Sequence, residues 1–186
     1  MQAKYPEIGV CGLSCRLCPS YHAGGKSRCG GCKSAYRMAA GCPFITCAVK
    51  RKGIEFCWQC EEHEACDKWR AHIEFSRKHD TFVCYQKLEA NIAFIQQNGV
   101  KAFVKAQRTR EQLLRQMLQG FNEGRSKTYF SIAATVLEVE ELKAALTQAK
   151  RESARLEVKD KSKVLHSILD EIAKRKHDCL SLRKYR

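Results

Sequence analysis

The sequence lacks any long hydrophobic run, and its longest uninterrupted apolar stretches span only a handful of residues. A membrane-spanning helix needs roughly 20 consecutive apolar residues, so none is expected here. The residues up to Pro6 also lack the apolar core of a secretory signal. We therefore expect a cytoplasmic protein with no membrane partner.

Large aliphatic side chains are scarce in residues 1–66. They are Ile8, Val10, Leu13, Leu17, Ile45, Val49 and Ile54. A core of this size does not offset the conformational entropy lost when the surrounding loops become ordered. This part of the chain therefore needs another source of stability.

Cysteine, by contrast, is abundant, and ten of the twelve cysteines fall within the first 66 residues. Their spacings are C-x3-C-x2-C, C-x2-C, C-x4-C and C-x2-C-x5-C. In a reducing compartment, closely spaced cysteines usually hold a metal. The candidate metal ligands are Cys11, Cys15, Cys18, Cys29, Cys32, Cys42, Cys47, Cys57, Cys60 and Cys66.

Zinc is the favoured metal, because closed four-thiolate sites suit these spacings. Ten thiols suffice for two ions, with one plausible site at Cys15, Cys18, Cys29 and Cys32 and a second drawn from the later cysteines. An iron–sulfur cluster, which also takes four thiolates, is the alternative. A disulfide framework would require export, and no βαβ pattern supports a thioredoxin-like pair.

The second half of the chain predicts a different architecture. Residues 84–186 contain no proline and show apolar side chains at helical spacing. We predict two domains: a cysteine-rich lobe over 1–83, zinc-ribbon or knuckle-like with little regular structure, and a basic α-helical domain over 84–186. The second domain is expected to be an all-α bundle of about five helices, the first of which stops at Asn98-Gly99.

The chain is strongly basic, with a formal net charge of +14. Basic clusters occur at 174–176 and 183–186, which makes nucleic acid a possible partner. However, acidic residues are interspersed on the same helices, and no recognition helix or aromatic stacking motif stands out. An unassigned protein partner is therefore favoured over nucleic acid.

A weak candidate site for an anion lies at Gly124-Arg125-Ser126-Lys127, before a predicted helix. The backbone N–H groups at a helix start, together with Arg125, Ser126 and Lys127, have the chemistry to hold a phosphate. The glycine spacing does not match a Walker A loop. The alternative is that Ser126 simply caps the helix.

Four short segments carry a resemblance to a known family: residues 11–19, 29–32, 42–48 and 52–60, followed by Cys66. The order and spacing of their ten cysteines resemble the bacterial and archaeal family called domain of unknown function 3795. That family often has proline before its last cysteine, where this chain has Ala65. The helical half is similar to longer members, with their Gly-Arg-Ser-Lys segment and basic C-terminus. The resemblance implies a cysteine-rich, metal-binding protein without an assigned activity.

Together these patterns predict a cytoplasmic protein with structural zinc in four-thiolate sites, acting as a binding or regulatory module. The first alternative is an iron–sulfur redox protein or enzyme subunit. The second is an enzyme or anion-binding protein acting at Gly124–Lys127. No residue is assigned a catalytic role, and a binding protein is favoured over an enzyme.

Overall fold

The computed structural model of the chain describes residues 3–25 and 28–184. Across these ranges the regular structure is helical, and the one β-type pairing is an isolated antiparallel bridge between Ile8 and Ser14. None of the helices described there combines the length and the apolar character that crossing a membrane requires.

Seven α-helices occur in the described ranges: α1 Ala35–Ala40, α2 Pro43–Ile45, α3 Asp67–Lys78, α4 Leu88–Gly120, α5 Lys127–Val136, α6 Val139–Glu152 and α7 Val158–Lys176. A π-helical stretch, Thr46–Arg51, continues α2, and two 3-10 turns at Cys15–Leu17 and Cys57–Gln59 contain cysteines. The predicted lobe over 1–83 thus contains short helices as well as turns and loops, with α3 as its longest helix. Its zinc-ribbon or knuckle-like character stays a prediction, whereas the helical second half that the sequence predicts is confirmed.

Two compact units make up the described residues. One comprises the residues up to Lys105 together with Arg183 and Lys184, and the other is Ala106–Leu182. In the first unit, Ile8 and Phe56 pack in one buried cluster with Ile95, Phe103 and Val104 of α4. The few apolar residues of the cysteine-rich segment therefore share a core with the start of α4. The domain boundary predicted at 83/84 stays a prediction. The two compact units divide between Lys105 and Ala106, after the α4 residues that belong to this cluster.

The break predicted at Asn98-Gly99 is present in α4. Gly99 has φ 81° and ψ 160°, outside the helical region, and helical geometry resumes after it. Glycine is the residue that adopts such a conformation without a steric penalty.

The second unit is built on the apolar stripes that the sequence predicts for its last helices. Their buried members include Phe130, Ile132, Leu142, Leu146, Leu165 and Leu169. The connection between α6 and α7 is short, because α6 ends at Glu152 and α7 begins at Val158. Asp160 lies in the first turn of α7 and pairs with Lys163 at 2.7 Å. An acidic residue there interacts favourably with the helix dipole.

Arg110, the single cation in the apolar stripe of α4, closes the end of α5. Its Nη1 donates hydrogen bonds to the backbone oxygens of Ala134, at 2.9 Å, and Leu137. Burial lowers the pKa of Arg110, and the carboxylate of Glu138, 3.7 Å away, opposes that shift. The guanidinium thus satisfies carbonyl groups that the helix end leaves without an intrahelical partner.

Replacing Arg110 with methionine is expected to destabilise the second unit by about 2 kcal/mol, the usual cost of losing hydrogen bonds from a charged donor. Chemical unfolding followed by circular dichroism measures this loss. Arg108→Met is the matched control, since Arg108 lies on the same helix and is exposed. Equal stability of the two variants would show that the contacts with α5 contribute nothing.

Candidate metal site in the cysteine-rich segment

A tight loop presents Cys11. The N–H of Gly9 donates to the Leu13 oxygen at 2.8 Å, and the N–H of Gly12 donates to the Gly9 oxygen at 3.0 Å. Gly12 has φ 99°, and a Cβ there would lie 3.1 Å from side-chain atoms of both Trp58 and Ile92. Any larger residue would therefore be strained and would push against the packed aromatic ring. The loop holds the Cys11 backbone in one place.

A second glycine turn presents Cys32. Gly31 also has φ 99°, and its missing Cβ would lie 3.2 Å from the Pro6 oxygen. The turn directs the Cys32 N–H towards the Cys15 sulfur, at 3.3 Å. A backbone N–H that donates to a cysteine sulfur stabilises the thiolate form, which is the form that binds metals.

The two turns bring Cys11 and Cys32 together. A Cβ built on Gly9 would lie 3.6 Å from the sulfur of each, so the absence of a side chain at Gly9 leaves room between them. Burial raises the pKa of the Cys11 thiol to about 12, and the neighbouring thiols of Cys32 and Cys42 add to the effect. Like-charged thiolates crowded in a buried place favour the protonated form unless a cation is present.

Cys57 lies at the centre of a second set of neighbours. Its N–H donates to the Val10 oxygen at 3.0 Å, which ties it to the loop of Cys11. Burial raises the pKa of its thiol to about 12, and Cys11, Cys47, Cys66 and Cys42 raise it further. Cys11, Cys42 and Cys57 are thus mutual neighbours, although they are far apart in the sequence.

A smaller group forms around Cys15. The side-chain hydrogen bond with Cys15, followed by burial, raises the pKa of the Cys32 thiol. Burial likewise raises the pKa of Cys18, with Cys32 as a nearby thiol. Cys32 therefore interacts both with this group and with Cys11. The sequence favours a first site that includes Cys32 but not Cys11, so the thiol interactions do not follow that division.

The remaining two candidate ligands have other neighbours. The Cys60 sulfur accepts a hydrogen bond from Lys52 Nζ at 3.0 Å at the surface. The backbone N–H of Cys29 donates to the Ser20 oxygen at 2.9 Å. Neither is among the thiols that raise the pKa of Cys11 or of Cys57. Spacing alone gave no signal for separating these two from the rest.

The donor set fits a thiophilic metal in its chemistry. All twelve cysteines are free thiols, and those named above are soft donors of the kind that zinc and iron–sulfur clusters take. Over residues 3–25 and 28–184, however, no three histidine, cysteine or acidic side chains stand close enough to share one ion.

The two cysteines outside the segment are separate from these groups. Cys84 is buried, and burial raises the pKa of its thiol to about 11. Cys179 lies near the end of the chain, with its sulfur 3.3 Å from the Ser181 hydroxyl oxygen.

The candidate anion site has an unexpected arrangement. Arg125 is exposed, but Ser126 is buried and makes no capping hydrogen bond to α5. Its hydroxyl instead donates to Glu123 Oε2 at 2.7 Å and lies 2.8 Å from His166 Nε2. The expected Ser126 cap is therefore wrong, because the Ser126 backbone is already helical, with φ −80° and ψ −3°, whereas a capping residue normally has an extended backbone.

This polar cluster does not activate Ser126. The hydrogen bond from Ser126 foremost, and that from Ser162, lower the pKa of Glu123 to about 2. With the Ser126 hydroxyl donating to Glu123, the 2.8 Å contact with His166 Nε2 is satisfied by the tautomer that carries its proton on Nε2 and donates to Ser126, the reverse of a nucleophile and its base. The Glu123 carboxylate would also repel a phosphate, so the anion site at Arg125, Ser126 and Lys127 stays a prediction.

Comparison with known proteins bears on the first unit. No curated protein and no solved structure matches the chain significantly. A family model matches residues 7–71, which include all ten candidate cysteines, and does not extend to the helical half. The similarity of that half to longer family members remains an expectation. The model that residues 7–71 match, over about a third of the chain, is that of the family described as protein of unknown function DUF3795.

Proposed function

We propose that this chain is a metal-binding protein whose thiolates hold structural zinc, and that it acts as a binding or regulatory module. The observation that carries the proposal is the grouping of free, half-buried thiols around Cys11 and Cys57, drawn from four separate stretches of the segment. Crowded thiols repel one another when they lose their protons. Crowding alone therefore does not stabilise the folded chain. A bound cation removes that repulsion.

Zinc also suits the energetics of the segment. Its buried apolar residues are few, and one of the clusters, around Val10, Ile45 and Ala48, is completed by Cys32, Cys42 and Cys57 themselves. Structural zinc supplies about 10 kcal/mol or more in small thiolate sites. Metal binding would therefore fix the very cysteines that pack against this cluster.

An iron–sulfur cluster is the second candidate, and one observation favours it. The thiols around Cys11 and Cys57 are neighbours, yet no three ligands in the described part of the chain stand close enough for a single ion. A cluster of several iron atoms is larger than one ion, so its cysteines stand further apart. This alternative would make the chain a redox protein or an enzyme subunit.

Elemental analysis of anaerobically purified protein separates the two. We expect a colourless sample with about two equivalents of zinc, since ten thiols suffice for two four-thiolate sites. A brown sample with iron and sulfide, bleached by a reductant, would establish the cluster instead. A sample without either metal, which also fails to take one up under reducing conditions, would refute the proposed function.

Single substitutions then identify the ligands. Cys11→Ser and Cys57→Ser should each lower the bound metal by about one equivalent, since a four-thiolate site loses one of its ligands. Cys179→Ser is the control, because Cys179 lies in the second unit. An unchanged metal content in Cys11→Ser would remove that residue from the site.

For the partner, we propose an unassigned protein in preference to nucleic acid. Two cations of the basic clusters are paired with carboxylates: Lys176 lies 3.1 Å from Glu141, and Arg183 lies 2.9 Å from Asp80. Such pairs leave less positive charge to neutralise phosphates. Tyr185 and Arg186 of the last cluster lie outside the described residues.

A further inference from the structure

Two neighbouring clefts lie where α4 and α6 meet in the second unit. The first has a volume of about 280 Å³ and the second of about 340 Å³. Gln116 and Lys150 line both, and Lys150 Nζ donates a hydrogen bond to Gln116 Oε1 at 2.8 Å. The clefts therefore form one continuous groove, from Thr109 and Lys143 in the first cleft to Lys161 in the second, which we call the α4–α6 groove.

The α4–α6 groove is positively charged. Lys143, Lys150 and Lys161 line it, and none of its lining residues in the described part of the chain is acidic. Lys143 Nζ lies 2.9 Å from Glu140 Oε1 at one end, but both of these side chains are half exposed or more. An exposed pair of this kind contributes little, so the carboxylate of a ligand can replace Glu140. The groove therefore favours an anionic ligand.

A row of side-chain amides runs along the α4 side of the groove. Gln112, Gln116 and Gln119 are separated by four and three residues, which places them on one face of the helix, and all three are exposed. Each amide has both a donor N–H and an acceptor oxygen. The backbone of an extended peptide offers the complementary groups at every residue. The row is therefore suited to hydrogen bonding with a peptide backbone.

The apolar lining favours a peptide over single-stranded nucleic acid. Single strands are usually held by bases stacked on exposed aromatic rings. Phe121 lines the second cleft but is buried, so it has no free face for a base. Leu156, in contrast, is 40% exposed, and its N–H donates to the oxygen of the lining residue Ser153 at 3.0 Å. Apolar surface next to the second cleft suits a hydrophobic side chain.

We propose that the α4–α6 groove binds an extended acidic segment of a partner protein, with carboxylates on Lys143 and Lys150 and the backbone on the row of glutamines. The two lysines are seven residues apart on α6, roughly 10 Å along the helix axis. About three residues of an extended chain span that distance. The inference rests on the protein partner of the proposed function, whose chemistry it names. It involves none of the candidate metal ligands, because the whole groove lies in Ala106–Leu182.

The test is fluorescence anisotropy with the full chain and a labelled ten-residue peptide in which glutamate and leucine alternate. The same peptide with glutamine in place of glutamate tests the charge, and a labelled ten-nucleotide oligouridylate represents nucleic acid. The variant Lys143→Gln/Lys150→Gln removes two cations of the groove. Its matched control, Arg151→Gln/Lys174→Gln, removes two exposed cations of the same unit that are not among the lining residues.

A second variant tests the amide row without changing the charge. Gln112→Ala/Gln119→Ala removes two exposed amides and leaves the contact between Gln116 and Lys150 in place. All of these substitutions are at exposed positions of helices, so we expect each variant to stay folded. Circular dichroism of each variant checks the helices.

We expect the acidic peptide to bind the unaltered chain more tightly than the neutral peptide or the oligouridylate does. The lysine variant should bind the acidic peptide about 10-fold more weakly and the glutamine variant about fivefold more weakly, whereas the control should stay within about twofold. Failure of the acidic peptide to bind, or equal losses in the lysine variant and its control, would overturn the inference. Tighter binding of the oligouridylate, lost in the lysine variant, would also refute the protein partner of the proposed function. Elemental analysis tests the zinc independently of these outcomes.

Discussion

If the chain holds the proposed zinc, removing it is expected to unfold the cysteine-rich segment while the helices of Ala106–Leu182 stay folded. The expected loss is about 10 kcal/mol, the free energy that structural zinc contributes to small thiolate sites. The first unit would depend on zinc because its cysteines pack against the cluster of Val10, Ile45 and Ala48. The second unit has its own apolar core, with Leu142, Leu165 and Leu169 completely buried.

The chain provides a convenient readout for this experiment. Its two tryptophans, Trp58 and Trp69, both lie in the first unit. Trp58 stacks on Phe56 with 4.6 Å between ring centroids, and Trp69 lies edge-on to Phe44 at 6.3 Å. Adding a chelator should therefore shift the tryptophan fluorescence to longer wavelength while most of the far-ultraviolet ellipticity remains.

Restoring zinc under reducing conditions should reverse the change. Magnesium serves as the control ion, because it prefers oxygen ligands and does not replace zinc at thiolates. Tryptophan emission and thermal stability that stay the same after complete metal removal would show that the segment folds on its apolar contacts alone. In that case, the grouping of thiols would need another explanation.

The sequence predicts which cysteines matter but not which of them meet. Spacing identifies pairs such as Cys15 and Cys18, since a short gap forces proximity. It groups Cys11 with Cys15 and Cys18, whereas in the folded chain the Cβ position of Gly9 lies 3.6 Å from the sulfurs of both Cys11 and Cys32. Contacts between residues far apart in the chain depend on tertiary structure, which spacing does not encode.

The fold shows the same limit. Helical periodicity predicts α4 and its break, because both depend on local preferences. It places Phe103 on the stripe of a helical bundle, whereas Phe103 packs with Ile8 and Phe56 of the cysteine-rich segment. An amphipathic stripe indicates that a face is buried but not what covers it. The boundary between the compact units therefore falls inside a helix.

A cluster of basic residues also does not show from sequence what its charges contact. Arg183 belongs to the basic cluster at 183–186, which indicates a possible surface for nucleic acid. In the folded chain it is bound instead to Asp80, whose side chain is completely buried. The Asp80 carboxylate accepts hydrogen bonds from the Arg183 N–H and Nε, both at 2.9 Å, and from the Tyr85 N–H at 2.6 Å. The sequence gives no sign that these residues pair.

Breaking this ion pair is the second large effect that we expect. Arg183 also donates to the backbone oxygens of Arg77 and Ser76 in the last turn of α3, at 2.7 and 2.8 Å. Arg183→Ala would leave a buried carboxylate and two carbonyl groups without these donors. Loss of one partner of a buried pair typically costs about 3 kcal/mol or more. Chemical unfolding followed by tryptophan fluorescence, to which Trp69 on α3 contributes, measures that loss.

The same pair predicts how stability depends on pH. Burial alone would raise the pKa of Asp80, but the hydrogen bonds from Arg183 and Tyr85 outweigh it, so the pKa is lowered. A lowered pKa means that the unfolded chain takes up the proton first. The stabilisation is thus present above the unfolded pKa of about 3.9 and is lost as the pH falls through the folded value. Asp80→Asn should remove this part of the acid sensitivity.

Matched variants distinguish the contribution of the Asp80–Arg183 ion pair from that of the other basic residues near Arg183. Lys184→Ala changes the neighbouring exposed cation and should leave stability within about 0.5 kcal/mol. Arg183→Lys keeps the charge but loses the planar group that reaches Asp80 and both carbonyl oxygens, so it should recover only part of the loss. Since Asp80 and Arg183 act as one unit, Asp80→Asn added to Arg183→Ala should cost much less than it does alone. Additive losses in the double variant would mean that the two residues stabilise the first unit independently and that the pair itself contributes little.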